Sequence, residues 1–133
     1  MAHPLSSKPA RAYVRAMVMA LGRDDLVGVC ELVASELVAN AITATREAAS
    51  TGVDGSAGSD GPGTIGVGVY QDRRAIVIEV WDCSRMPPRM VEPADDTEGG
   101  RGLVLVGALS SDWSYRRPVS GGKVVYARIE AAL

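Results

Sequence analysis

Cysteine and histidine are nearly absent from this chain of 133 residues, which holds only Cys30, Cys83 and His3. Three such residues cannot furnish a four-ligand zinc site, and most Ser-His-Asp arrangements are excluded with only His3 available. The two cysteines stand apart with no C-x-x-C spacing. That suits a reducing compartment, where small thiols act as buried hydrophobes rather than disulfide partners. An excess of one charge is missing as well. Fourteen Lys and Arg against sixteen Asp and Glu leave a net charge of −2, without the clustered positive charge that binding a nucleic-acid backbone requires. The longest apolar runs, such as residues 103–109, fall far short of the roughly 20 residues that cross a bilayer. Residues 1–8 have neither the apolar core nor the cleavage site of a signal peptide. The expectation is a cytoplasmic protein with no direct nucleic-acid or membrane partner.

What is present suits one folded domain. The length matches a single unit of roughly 100–200 residues, and 47% hydrophobic residues argue against disorder. Residues 1–8 read as a loose arm, in which His3 is solvated, and the domain as residues 9–133. Pro9 suits a first helical turn, and Ala12, Tyr13, Ala16, Met17, Ala20 and Leu21 recur at helical spacing up to Gly22. Asp24 and Asp25 offer an N-cap to a second helix, whose Leu26, Val29, Cys30, Val33, Leu37 and Ala41 keep the 3.6-residue period to about residue 49. Residues 51–63, rich in Gly, Ser and Asp, predict a mobile loop. Residues 64–70 and 76–81 alternate as a β-hairpin around residues 71–74. Residues 84–99 form an irregular connection, and residues 103–109 fit a buried strand or a buried helix equally. Residues 112–117 and 123–130 read as a second hairpin. This order predicts an α+β fold, a two-layer sandwich with helices on one face of a mostly antiparallel sheet.

Three positions break the pattern. Glu36 and Asn40, four apart, stack on one edge of the second helix. They make either an exposed polar stripe or an acid and an amide lining a cleft, as base and metal ligand. Asp82 falls in phase with Ile76, Ile78 and Val80. Either the strand has ended and Asp82 meets solvent, or a buried acceptor awaits a ligand donor such as an exocyclic amine. Residues 99–102 (G-G-R-G) make a tight turn or, if a helix follows, an anion site to which Arg101 adds charge.

Taken in order, E-L-V-A-S-E-L-V-A-N-A (31–41), V-W-D-C-S (80–84) followed by Pro87-Pro88, and E-G-G-R-G-L-V-L-V (98–106) resemble the boxes of the GHKL (histidine kinase-like) ATPases. S-D-W-S-Y (111–115) and G-G-K-V-V (121–125) are similar to that family's ending. The nearest likeness is to the small single-domain anti-sigma-factor serine kinases and related ATP-binding regulators. The resemblance implies a Bergerat-type ATP-binding fold and makes residues 103–109 a helix. It implies that Asn40 coordinates Mg²⁺ on the triphosphate, that Glu36 activates the attacking hydroxyl, and that Asp82 accepts from the adenine amino group. Ser84, Gly100, Arg101, Gly102 and Leu103 would complete the nucleotide contacts, with residues 84–99 as the ATP lid. The implied activity is serine/threonine phosphorylation of an anti-anti-sigma (STAS-type) partner, with a sigma factor as a second partner. The alternative is a non-catalytic nucleotide-responsive module controlling transcription. Tyr13, Met17 and Leu21 either form a homodimer stripe or pack on the chain's own sheet. The chain departs from the family pattern in several places. Ala44 stands where a His is common, residues 83–86 directly after Asp82 lack the family's two glycines, and no threonine hydroxyl occurs at Lys123 and Val124.

Overall fold

The computed structural model describes residues 2–4, 7–51, 64–88 and 105–131. Two helices, α1 (Ser7–Ala20) and α2 (Val27–Thr51), lie against a sheet of β1 (Ala2–Pro4), β2 (Thr64–Asp72), β3 (Ala75–Asp82), β4 (Asp112–Arg116) and β5 (Lys123–Glu130). The strand order is β1-β2-β3-β5-β4, and every neighbouring pair is antiparallel. The α+β sandwich expected from the sequence is therefore the observed fold.

Local chemistry explains the element ends. Gly22 adopts φ +76° and closes α1 with paired bonds, Gly22 N–H to the Met19 carbonyl at 3.0 Å and Arg23 N–H to the Val18 carbonyl at 3.1 Å. A left-handed residue is needed there, and glycine adopts it without a Cβ penalty. The expected aspartate cap of the next helix is absent. Asp24–Leu26 form a 3₁₀ turn with no side-chain cap bond, and the Asp25 carboxylate is held by Arg23 Nε at 3.2 Å. Arg23 also donates to the Arg74 carbonyl at 2.7 Å, tying the helix junction to the turn between β2 and β3. That turn is tighter than expected: only Arg73 and Arg74 separate the strands, with Arg73 at φ 57°.

The expectation of a loose arm over residues 1–8 is corrected. Residues 2–4 pair with β2, with Ala2 opposite Gly66 and Pro4 opposite Thr64, and α1 already begins at Ser7. The unpaired edge of β2 supplies the partner that three residues cannot supply for themselves. Both sheet edges are short, which limits open pairing surface. The loop expected at residues 51–63 lies outside the described residues, except that Thr51 closes α2.

The core forms between the helices and one sheet face. From α1 it takes Ala10, Val14 and Val18, from α2 Cys30, Val33, Ala34, Leu37, Val38 and Ala41, and from the strands Ile65, Val67, Ile76, Ile78, Val80, Val125, Ala127 and Ile129. Each large aliphatic side chain sealed there contributes about 1.5–3 kcal/mol. Tyr13, Met17 and Leu21 pack against this core. By length and composition alone, residues 24–47 could cross a membrane, but one face of that stretch forms the centre of this core. Residues 105–109 are helical, as the family resemblance implied, and Val106 is fully buried in the core. Cys30 and Cys83 are buried and free, and burial pushes the Cys30 thiol up to about 11. It is therefore a packing residue, not a nucleophile.

Candidate functional site

β3 is the central strand, hydrogen-bonded to β2 on one side and β5 on the other. Its inward residues continue in phase through Ile76, Ile78 and Val80 to Asp82, so the last inward position of a core strand carries a carboxylate. Asp82 is 0% exposed, which decides between the two sequence readings: the acid does not turn into solvent. An ionised carboxylate in such a place requires partners. β5 supplies one across the ladder, because Lys123 lies directly opposite Asp82 and is in phase with inward Val125, Ala127 and Ile129. The Lys123 ammonium donates to Asp82 Oδ1 at 3.0 Å, and both side chains are 0% exposed.

The Ser84 backbone N–H donates to the same oxygen at 2.9 Å. Ser84 itself is buried, and its hydroxyl accepts from the Met86 N–H at 3.1 Å. The other carboxylate oxygen, Asp82 Oδ2, is buried with no hydrogen-bond partner among the described residues. Burial pushes the Asp82 carboxyl above the ordinary aspartate range, against the lowering effect of Lys123 and of the Ser84 N–H. A buried acceptor left open in this way costs about 1–3 kcal/mol until a donor reaches it.

The β4–β5 turn is fastened to the end of β3. Gly122 adopts φ +70°, and a Cβ there would collide with the Asp82 carbonyl oxygen and sit 2.8 Å from Trp81 Nε1. Only glycine allows that approach. Trp81 Nε1 donates to the Gly121 carbonyl at 3.1 Å, and Arg85 donates to the Pro118 carbonyl at 3.0 Å. Arg117 Nε returns a bond to the Arg85 carbonyl at 2.9 Å. These contacts fix the position from which Lys123 enters β5.

Glu36 and Asn40 lie one turn apart on α2, both half-buried. They occupy a margin of the helix whose neighbouring face, through Val33, Leu37 and Ala41, is in the core, so neither is on a fully solvated stripe. α2 packs on β3 and β5, the two strands that carry Asp82 and Lys123. The structure thus brings Asp82, Ser84 and Lys123 together and sets Glu36 and Asn40 on the helix covering those strands. Gly100, Arg101, Gly102 and Leu103 lie outside the described residues.

Among the described residues, no group of three His, Cys, Asp or Glu side chains could hold a metal. Asn40 offers one amide oxygen, a donor type that Mg²⁺ takes alongside phosphate and water oxygens. Lys123 is the residue that sequence reasoning missed. Its inward phase on β5 is visible in the sequence, but its place opposite Asp82 comes from the β3–β5 ladder, which joins two separate hairpins.

A family model described as the histidine kinase-like ATPase domain matches residues 2–129. The chain belongs to that family. The match spans nearly the whole chain, from β1 to the penultimate residue of β5, and so includes every element that builds the site. Membership gives the domain an ATP-binding character, and the orphaned acceptor at Asp82 is the observation of this fold that fits an amino-bearing base. No curated protein matches the chain.

Proposed function

We propose that this ATPase domain is a regulatory serine/threonine protein kinase of the anti-sigma type, acting in the cytoplasm on an anti-anti-sigma (STAS-type) partner, with a sigma factor as its second ligand. The observation that carries the nucleotide part is Asp82, sealed at the end of the central strand with Oδ2 open. In this reading the adenine amino group donates to Oδ2. Ser84, Gly100, Arg101, Gly102 and Leu103 contact the nucleotide, and the Asn40 amide oxygen supplies one ligand to Mg²⁺, which neutralises phosphate charge when bound. Glu36 takes the proton from a seryl hydroxyl of the partner. The seryl oxygen then bonds to the γ-phosphorus as the bond to the β-phosphate oxygen breaks and ADP leaves, a transfer that depends mainly on positioning and electrostatics.

The test is transfer of labelled γ-phosphate from Mg-ATP to a purified STAS-type partner. The expected result is label on a partner serine or threonine, lost in Glu36→Ala while ATP binding persists. ATP binding with no label on any partner would refute the kinase step. It would favour a non-catalytic nucleotide-responsive module, the reading supported by Ala44 where a His is common in the family and by Lys123 and Val124 where a threonine hydroxyl is usual.

A further inference from the structure

We propose that Lys123 is a specificity-determining residue which, together with Asp82, reads the base as one acceptor–donor unit. Asp82 Oδ2 accepts from an amino group, and the Lys123 ammonium donates to the ring nitrogen beside it. This rests on the reading above that a nucleotide base docks at Asp82, and it assigns the partner a 6-aminopurine edge.

The pair is incompletely satisfied on both sides. Asp82 Oδ1 already accepts from Lys123 at 3.0 Å and from the Ser84 N–H at 2.9 Å, while Oδ2 has no partner among the described residues. The ammonium carries three donors, and Asp82 Oδ1 is its one partner among the described residues. A buried ion pair offsets its desolvation only when its remaining lone pairs and protons are also bonded. Here one lone-pair side and spare N–H donors are left over within the same pair. A 6-aminopurine presents the complement, an N–H donor on the amino group next to a ring nitrogen that accepts. A 6-oxopurine presents the reverse, so its oxygen would face Oδ2 and its ring N–H would face the ammonium. Both contacts would then be mismatched.

The reader is also held in place. Lys123 is fixed opposite Asp82 by the β3–β5 ladder. Gly122, with no space for a Cβ, presses against the Asp82 backbone, and Trp81 anchors Gly121. A preorganised donor loses little freedom when it binds, which is what discrimination by a flexible lysine would otherwise lack.

Calorimetry on the intact protein tests this with Mg-ATP, its 1-deaza analogue (CH in place of the ring nitrogen, amino group kept) and its 7-deaza analogue (altered on the far edge). The wild type is expected to bind 1-deaza-ATP at least tenfold more weakly than ATP and 7-deaza-ATP within twofold of ATP. Lys123→Met is expected to bind ATP at least tenfold more weakly than the wild type and to treat ATP and 1-deaza-ATP alike. Should that variant fail to fold by circular dichroism, the three nucleotides on the wild type decide alone. ATP and 1-deaza-ATP binding equally to the wild type would overturn the role of Lys123 and leave the nucleotide reading standing. An equal loss with 7-deaza-ATP would overturn it too. No binding by any of the three would overturn both.

Discussion

Replacing Lys123 by methionine removes an ammonium sealed beside a carboxylate and leaves Asp82 with one donor, the Ser84 N–H. Breaking a buried pair from one side typically costs about 3–5 kcal/mol, because the surviving charge is uncompensated. In a domain of this size each kcal/mol moves the melting temperature by about 3–5 °C, so a drop of roughly 10–20 °C at pH 7 is expected. The pH dependence follows from the titration of Asp82. Its folded pKa is already raised by burial, and losing Lys123 raises it further. Between the unfolded value, near 3.8, and the folded one, the native state holds a proton that the unfolded state has released. Stability therefore falls as pH rises through that window, by at most about 1.4 kcal/mol per pH unit. The deficit of Lys123→Met should accordingly be largest at pH 7 and smaller at pH 4. Urea unfolding at both pH values measures it, and Asp82→Asn combined with Lys123→Met should recover most of the loss. A single variant within 1 kcal/mol of the wild type at pH 7, or a deficit unchanged at pH 4, would refute the buried pair.

Gly122→Ala forces a Cβ into the Asp82 carbonyl at positive φ and should cost about 2–4 kcal/mol in chemical unfolding, with nucleotide affinity falling as Lys123 is displaced. Ile78→Ala, at a fully buried position on β3, should lose about 2–5 kcal/mol without changing which nucleotide is preferred, as read by thermal shift. Mg-ATP at a hundred times its Kd should add about 2.7 kcal/mol of stability. Mg-GTP should add much less, and the ATP shift should vanish in Asp82→Ala and shrink in Asn40→Ala.

Periodicity made most of the fold legible. The 3.6-residue stripe of α2 and the alternation of β2, β3 and β5 correspond to the sides buried in the core, because burying a stripe or a face is what selects those periods. Strand phase put Asp82 on the inward side but left open whether the strand had ended; its full burial decides that. Three residues cannot display a period, so β1 left no signal; its pairing comes from the β2 edge. Asp24 and Asp25 had the composition of a cap, but the neighbouring Arg23 competes for Asp25 and wins it through two nitrogens, at 3.2 and 3.3 Å. Residues 103–109 carried no distinguishing pattern because a buried run satisfies either period, and there the family resemblance supplied the helix. Lys123 was legible only once two hairpins were set in register, since its partner lies 41 positions away.

A lysine–aspartate pair at this depth contributes little to the fold as such, because well-packed apolar residues of similar volume are usually as stable or more so. Yet the surrounding chain is built around it. Gly122 gives up a side chain to approach the Asp82 backbone, Trp81 spends its indole N–H on Gly121, and Arg85 and Arg117 tie the turn before β5 to the segment after β3. Such fixation has a physical use if the pair must present its spare acceptor and donors at a set spacing. A core with no ligand to hold would gain by closing Oδ2 with one more donor, and among the described residues none closes it. Departures of this kind from local energetic sense concentrate where function is exacted. On the reading proposed above, the end of β3 in this histidine kinase-like ATPase domain is where base selection is decided, with Lys123 as much a part of it as Asp82.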